Sequence, residues 1–250
     1  MKMVNLSSIK RESVMNDRKE THILHSVDKE FKCLQTLRSK MAELVFSQLC
    51  HSLESLKKFD PNLAEQVIQR EREVNQFEVR TDSEILTILA RHCPVAGDLR
   101  FVMATSKSIN DLERIGDEAA KIANFVMFLH TDGDHDPATY PLDDVYAVGD
   151  LAITTLRHVL QAVAENDVEK AKAIRHEQKT LNNQFKASVH RLMNGPKQNN
   201  DYQVSSSVQV VLILKALERV GDHAQNLAES VIFLVTGEDV RHRYPDYKHA

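Results

Sequence analysis

The sequence predicts an all-α protein made of two tandem, pseudo-symmetric three-helix bundles, six helices in all. Three observations predict it. Glycine (7) and proline (6) are scarce among 250 residues, too little punctuation for a many-stranded β protein. Apolar residues recur at helical spacing over long segments. The second half of the chain also repeats the plan of the first.

Residues 1–20 are charged and lack an apolar period, so they read as a loose N-terminal arm. From about His22 to Lys58 the stripe Leu34, Leu37, Met41, Leu44, Val45, Leu49, Leu53, Leu56 marks the first helix. Asp60 followed by Pro61 supplies a cap side chain and a proline at the first helical position, so a second helix starts there. It runs to about His92, where Pro94 stops it, and a third spans about Val95–Leu129. Thr131–Pro141, with a glycine, two prolines and three aspartates, reads as a linker. Beyond it come helices over about Leu142–Ala164, from the Asn166/Asp167 cap to near Gly195–Pro196, and over about Tyr202–Thr236, with Ser205–Ser207 at the N-terminus or in the first turn of the last. The predicted organisation is therefore an arm (1–20), a first repeat (21–130), a linker (131–141), a second repeat (142–236) and a tail (237–250).

The repeat is explicit at residue level. LERIGDEAAKIANFVMFL, Leu112–Leu129, aligns with LERVGDHAQNLAESVIFL, Leu217–Leu234, with identity at more than half of the positions. Upstream, VIQREREVN at Val67–Asn75 resembles IRHEQKTLN at Ile174–Asn182. Each half is thus one copy of a unit of three antiparallel helices joined by short turns.

Each copy carries an acidic pair at the same spacing, Glu113 with Asp117 and Glu218 with Asp222. Residues i and i+4 project on one side of a helix. Asn110 and Asn124 fall in that sector of the first copy, and Glu229 in that of the second. The apolar residues Leu112, Ile115, Ala119, Ile122, Val126 and Leu129, and their equivalents from Leu217 to Leu234, centre on the opposite side. The carboxylates are therefore expected to face away from their own bundle core, which excludes a buried ferritin-like di-metal centre built from them. Like charges at i and i+4 destabilise a helix by about 0.2–0.5 kcal/mol unless something neutralises them. A hard or borderline cation held by oxygens would do so, as would local ion pairs such as Asp117 with Lys121. Gly116 and Gly221 sit between the acids although a mid-helix glycine costs about 1 kcal/mol. The missing side chain predicts close approach by another helix or by a ligand.

Composition excludes several classes. Net charge is −4 with scattered histidines, so a general nucleic-acid binder is not expected. No apolar run approaches a membrane span, and the N-terminus has no signal segment, which predicts a soluble cytoplasmic protein whose membrane role, if it has one, goes through a partner. Cys33, Cys50 and Cys93 form no CxxC pair and read as reduced, buried thiols. No P-loop, GxGxxG, HExxH or GxSxG motif occurs. His176 and His223, each beside an acidic residue, read as solvated or locally hydrogen bonded.

These residues resemble the PhoU family, whose members carry two E(D)xxxD motifs written out as LERIGD followed by A-x-x-I. Both copies are here, Glu113–Asp117 and Glu218–Asp222. Pro94-Val95-Ala96-Gly97-Asp98-Leu99-Arg100 is similar to the family's entry to the third helix, and Gly237–His242 to its usual ending. The resemblance covers about residues 30–242. It implies two three-helix bundles related by pseudo-twofold symmetry, and a metal-binding face on which the E(D)xxxD residues hold multinuclear clusters. The expected ligands are Glu113, Asp117, Glu218 and Asp222, with Asp98 and Glu71 as further candidates. The metal would be iron, manganese, zinc or magnesium, in a structural or partner-bridging role. Where the first repeat has Glu71 the second has Gln178, so two sites using those helices would differ in charge and affinity. Arg114 and Arg219, each following a motif glutamate, fit partner binding or a surface salt bridge, of which the salt bridge is the favoured reading. The resemblance further implies a non-enzymatic negative regulator of the phosphate-starvation response. It would act between the ATPase subunit of the phosphate ABC transporter and the phosphate-sensing histidine kinase, and commonly as a homodimer. Two alternatives stand beside it: an accessory protein of another phosphate or ion carrier, and a metal-dependent hydrolase or redox enzyme using the acidic clusters.

Overall fold

The computed structural model describes residues 6–131, 140–194 and 201–241, with side chains described over 27–130, 140–194 and 207–241. Most of the linker, the segment at Gly195–Pro196, the side chains of Ser205 and Ser206, and the tail beyond residue 241 lie outside these residues. The described residues form six helices: α1 Leu6–Lys58, α2 Pro61–His92, α3 Ala96–Thr131, α4 Asp143–Glu165, α5 Val168–Asn194 and α6 Asp201–Thr236. No strand occurs among the described residues. One expectation is corrected at the start, since residues 6–20, read as a loose arm, continue α1 as helix. That stretch contains neither glycine nor proline and is rich in Lys, Arg and Glu, which favour helix without needing an apolar stripe.

The α1–α2 and α4–α5 hairpins share one local design. In each, a residue in the left-handed region ends the first helix, Phe59 at φ 51° and Asn166 at φ 51°. An aspartate then caps the next helix. Asp60 Oδ1 accepts from the Asn62 and Leu63 amides at 3.0 and 3.2 Å, and Asp167 Oδ1 from those of Glu169 and Lys170 at 2.9 and 3.1 Å. The Asp60 amide reaches back to Ser55 O and the Asp167 amide to Ala162 O, both at 3.0 Å. The turn satisfies the first amides of the following helix and bonds back to the last turn of the preceding one, which fixes the helices antiparallel. At the end of α2, Cys93 takes φ 45° and its amide bonds Leu89 O, after which Pro94 prevents continuation.

Within the first repeat α1, α2 and α3 pack against one another, and within the second α4, α5 and α6 do the same. The repeats meet through α3 on α6 and α1 on α4, leaving α2 and α5 on the outside. Contacts along the α3–α6 seam pair rising α3 numbers with falling α6 numbers, so the two helices run antiparallel: Lys107 over the Phe233 ring, Asp111 with His223, Glu118 with Arg219. On the α1–α4 seam Gly149 allows a close approach, because a Cβ there would sit 2.9 Å from both Leu53 methyls. One apolar core runs through both repeats, from Met41 to Val231. A smaller cluster, Leu34, Ile85, Ile88 and Val102, lies toward the end of the first repeat where α1 and α2 outrun α4 and α5. There the buried Arg38 guanidinium lies 5.5 Å from the centre of the Phe101 ring.

The three cysteines are free, but Cys93 is exposed and Cys33 and Cys50 are only partly covered, against the expectation of buried thiols. Cys93 occupies the left-handed residue between two helices, a turn position on the surface rather than a core one.

Candidate functional site

The acidic pairs lie along the third helix of each repeat, beside the second helix. Their glycines are what that second helix approaches. A Cβ on Gly116 would meet Val74 Cγ1 of α2 and Gln48 Oε1 of α1 at 3.4 Å, and one on Gly221 would meet the Leu181 methyls of α5 at 3.2 and 3.3 Å. Val74 and Leu181 are equivalent in the sequence alignment of the second helices, so the glycine contact with the second helix recurs in both repeats. The expected close approach is by a helix.

This packing corrects the exposure expected of the carboxylates. Glu218 is only 8 % exposed, the Glu113 side chain 17 % and that of Asp117 25 %, and Asp222 is half-buried. Two neighbours flank the third helix, the second helix of its own repeat and the third helix of the other, so the sector opposite the core is a groove rather than an open face.

In the first repeat the α2–α3 groove gathers acidic groups. Glu113 is flanked by Asp117, Glu78 and Glu71, and burial followed by Asp117 raises its pKa. Glu78 is raised as well, by burial and then by Asp82 one turn further along α2. Arg114 is the cation recorded against this group; it lies 3.4 Å from both Glu113 and Asp117 and is itself mostly exposed. Lys121, the anticipated partner of Asp117, pairs instead with Glu118 at 2.9 Å.

The α5–α6 groove of the second repeat is chemically different. The Lys215 ammonium sits 2.6 Å from Glu218 and 5.6 Å from the centre of the Phe185 ring. The Gln178 amide donates to Asp222 Oδ1 at 2.7 Å, leaving Gln178 Oε1 buried without a partner. Burial, followed by Glu218, raises the pKa of Asp222. Continuing the α2–α5 alignment past Asn75 and Asn182 places Phe185 where the first repeat has Glu78, and Val189 where it has Asp82. Extending that alignment by seven residues would have found both differences in the sequence.

Of the expected ligands, the structure brings Glu71, Glu113 and Asp117 into one groove and Glu218 with Asp222 into the other. Asp98 joins neither. It is exposed in the first turn of α3, about 22 Å along the helix axis from Glu113. Sequence reasoning missed the α3–α6 seam. The mostly covered Asp111 accepts from His223 and from Asn226, each at 2.9 Å, so His223 is a bridging residue between repeats rather than a solvated one. Glu118, 3 % exposed, is held by Arg219 at 3.1 Å and by Lys121. Arg219, expected on the surface in a local pair, thus ties the repeats together. These partners stand more than 100 residues apart and carry no short-range signal.

The donor types of the first groove suit a hard or borderline divalent cation: carboxylate oxygens in excess over a single guanidinium. Among the described residues, no three His, Cys, Asp or Glu side chains are drawn together as a ready ion cage. In the second groove both motif carboxylates are already engaged by protein donors.

Comparison with known proteins identifies the family. The PhoU domain model matches residues 39–126 and 145–231, one match per repeat. The chain is 37 % identical over 228 residues to the phosphate-specific transport system accessory protein PhoU homolog of Pseudomonas putida, covering 88 % of this chain and 86 % of that one. It is 32 % identical over 221 residues to the phosphate-specific transport system accessory protein PhoU of Escherichia coli, covering 88 % and 90 %. The crystal structure of PhoU from Pseudomonas aeruginosa superposes with a TM-score of 0.77 at 32 % identity, over 84 % of this chain and 99 % of that one. The phosphate transport system regulatory protein PhoU from Streptococcus pneumoniae gives 0.75 at 26 %, over 86 % and 99 %. With both repeats matched and the six-helix architecture shared, this chain belongs to the PhoU family.

Proposed function

We propose that the chain is a non-enzymatic regulator of phosphate uptake. It docks on the ATPase subunit of a phosphate ABC transporter and on a phosphate-sensing histidine kinase, and holds the phosphate-starvation response off while phosphate is plentiful. The observation that carries this reading is the tandem PhoU match together with relatives described as accessory proteins of phosphate-specific transport. Among the described residues no helix is long and apolar enough to cross a membrane, so contact with the transporter goes through protein surfaces. A cation at the E(D)xxxD residues is part of the same reading, in a structural or partner-bridging role, and so is self-association as a homodimer. Coupling arises if transporter and kinase prefer different states of the chain.

The test is affinity capture of the tagged chain from its native host in phosphate-rich medium, with crosslinking. Recovery of the transporter ATPase and the kinase is expected, as is derepression of a starvation reporter on deletion of the chain. Recovery of a different ion carrier, with the reporter unchanged on deletion, would assign the protein to that carrier instead.

A further inference from the structure

Arg38 carries a charge that no described residue answers. It is 4 % exposed, its Nε is buried without a partner, and it forms no ion pair among the described residues. Its directed contact is with the face of Phe101, 5.5 Å from the ring centre. Burial lowers its pKa, and no carboxylate opposes the shift. Arginine nevertheless keeps its proton in proteins, so an uncompensated charge here is costly.

A second orphan lies beside it. Thr105 is fully buried and its Oγ1 has no partner. The hydroxyls of Thr36, Thr81, Thr87 and Ser108 donate to the carbonyl four residues back, and that of Thr105 does not. Helices α1 and α3 run parallel: Phe31 meets Phe101 at 5.6 Å between ring centres, and Gln48 faces Gly116. Arg38 is thus level with the turn of α3 that follows Thr105, and its side chain leans back to Phe101. Thr105, one turn on from Phe101 on the same side of α3, lies along that path.

The second repeat shows that the bundle needs neither polar group. Val145 stands where the first repeat has Arg38, and Val210 where it has Thr105, both fully buried in the core. Around Arg38 the packing is apolar, with Leu34, Ile85, Ile88 and Val102 buried. This cluster is small and lies apart from the main core, so opening it exposes far less apolar surface. A fixed positive charge with an unused hydroxyl beside it is a donor set for an anion. The guanidinium fork matches two oxygens of one oxyanion, and the hydroxyl supplies a further donor. At 4 % exposure the guanidinium is out of reach of a side chain on a docked protein surface, which leaves a small free ion.

We propose that Arg38 and Thr105 form a binding site for a small tetrahedral oxyanion, in the first repeat alone. The site stands on this geometry; that the ion filling it is inorganic phosphate rests on the reading under Proposed function. Filled, it neutralises Arg38 and ties α1 to α3, so this end of the bundle is tighter with the anion than without it.

The experiment is equilibrium dialysis of the chelator-treated full chain against radiolabelled inorganic phosphate, with sulfate as competitor. Thermal midpoints are recorded in oxyanion-free buffer and in phosphate, sulfate or chloride at matched ionic strength. Wild type is expected to bind one phosphate per chain and to gain midpoint from it. Arg38→Val, which installs the second repeat's residue, is expected to melt above wild type in oxyanion-free buffer. It should bind phosphate more than about tenfold more weakly, with a midpoint that no longer responds. Thr105→Val should lose affinity to a smaller degree. Chloride acting as strongly as phosphate would reduce the effect to screening and overturn the site. So would equal phosphate binding by wild type and Arg38→Val, or no binding of either oxyanion by wild type. Arg38→Val melting below wild type in oxyanion-free buffer would show the charge already compensated, and would overturn it too. Sulfate bound with phosphate refused would keep the oxyanion site and remove phosphate from it. Capture of the transporter and kinase is read separately, so failure here is distinct from failure of the regulatory reading.

Discussion

The α2–α3 groove and the α5–α6 groove are built on the same hairpin, the same glycine contact and the same LER(I/V)GD segment, yet one collects carboxylates and the other neutralises its own. The comparison separates what the repeat needs in order to fold from what one copy is free to change. Helix caps, the glycine and the apolar residue set against it recur in both. The charged positions around the motif do not. Scaffold is therefore shared, and ionic chemistry is specific to each repeat.

The largest effect should come from the shared part. Leu181 is fully buried against Gly221, and Val74 makes the equivalent contact with Gly116. Leu181→Ala is expected to lower unfolding free energy by about 3 kcal/mol in urea titration. Val74→Ala removes one methylene less, so its effect should be smaller by about 1 kcal/mol. Since one core runs through both repeats, each variant should still unfold in a single transition. Two separated transitions would show that the repeats are energetically independent.

Reciprocal exchange at the second helix comes next. Gln178→Glu buries a carboxyl beside Asp222, and in metal-free buffer near pH 7 it should destabilise by about 2 kcal/mol through desolvation and like charge. Glu71→Gln removes one of the acids crowding Glu113 and should be neutral or slightly stabilising under the same conditions. Equal effects from the two exchanges would mean that the grooves are not chemically distinct, whatever their sequences.

Much of this scaffold was legible in the sequence. Asp60–Pro61 set the start of α2, and Cys93–Pro94 its end, because caps and proline act locally. The repeat gave the pairing of helices, and Gly116 and Gly221 gave the contact point. What could not be read was whatever depends on the partner across the α3–α6 seam. Helical phase put Glu218 opposite the core of its own repeat, yet tertiary packing leaves it only 8 % exposed. Asp111 and His223 sit at ordinary helical positions, and only tertiary packing turns them into a bridge. Helix over residues 6–20 was missed for the opposite reason: an apolar stripe signals burial, and a polar sequence can be helical without one.

The two motif arginines sharpen the comparison at the seam itself. Arg219 is bonded to the buried Glu118 of the other repeat, whereas Arg114 makes only long contacts within its own motif. Arg219→Ala leaves Glu118 with Lys121 alone and is expected to cost about 1–2 kcal/mol by urea titration. Arg114→Ala should change stability by less than about 0.5 kcal/mol. If the two variants proved equivalent, the Arg219–Glu118 bridge would contribute no more than a solvated surface pair.

The smallest expected effect concerns the seam between first and second helices of each repeat. Asp144 of α4 is gripped by Arg191 of α5, its two oxygens meeting Nε at 3.1 Å and Nη2 at 2.5 Å. At the equivalent positions the first repeat has the buried Leu37 and Glu84. Hydrogen bonding from Arg191 holds the Asp144 carboxyl below its ordinary value of 3.8. The folded state therefore binds that proton less readily than the unfolded chain, so the pair's contribution is fully present above about pH 4. It fades as pH falls through the lowered folded value. Because Arg191 is open to solvent, the contribution is small and screened by salt. Asp144→Asn should lower the thermal midpoint slightly and equally at pH 7 and pH 5, with the gap to wild type closing below about pH 4 and narrowing in high salt. Leu37→Val, at the matching place in the first repeat, should show a deficit indifferent to both pH and salt. A pH-dependent deficit for Leu37→Val would mean that the two seams are not held by different forces after all.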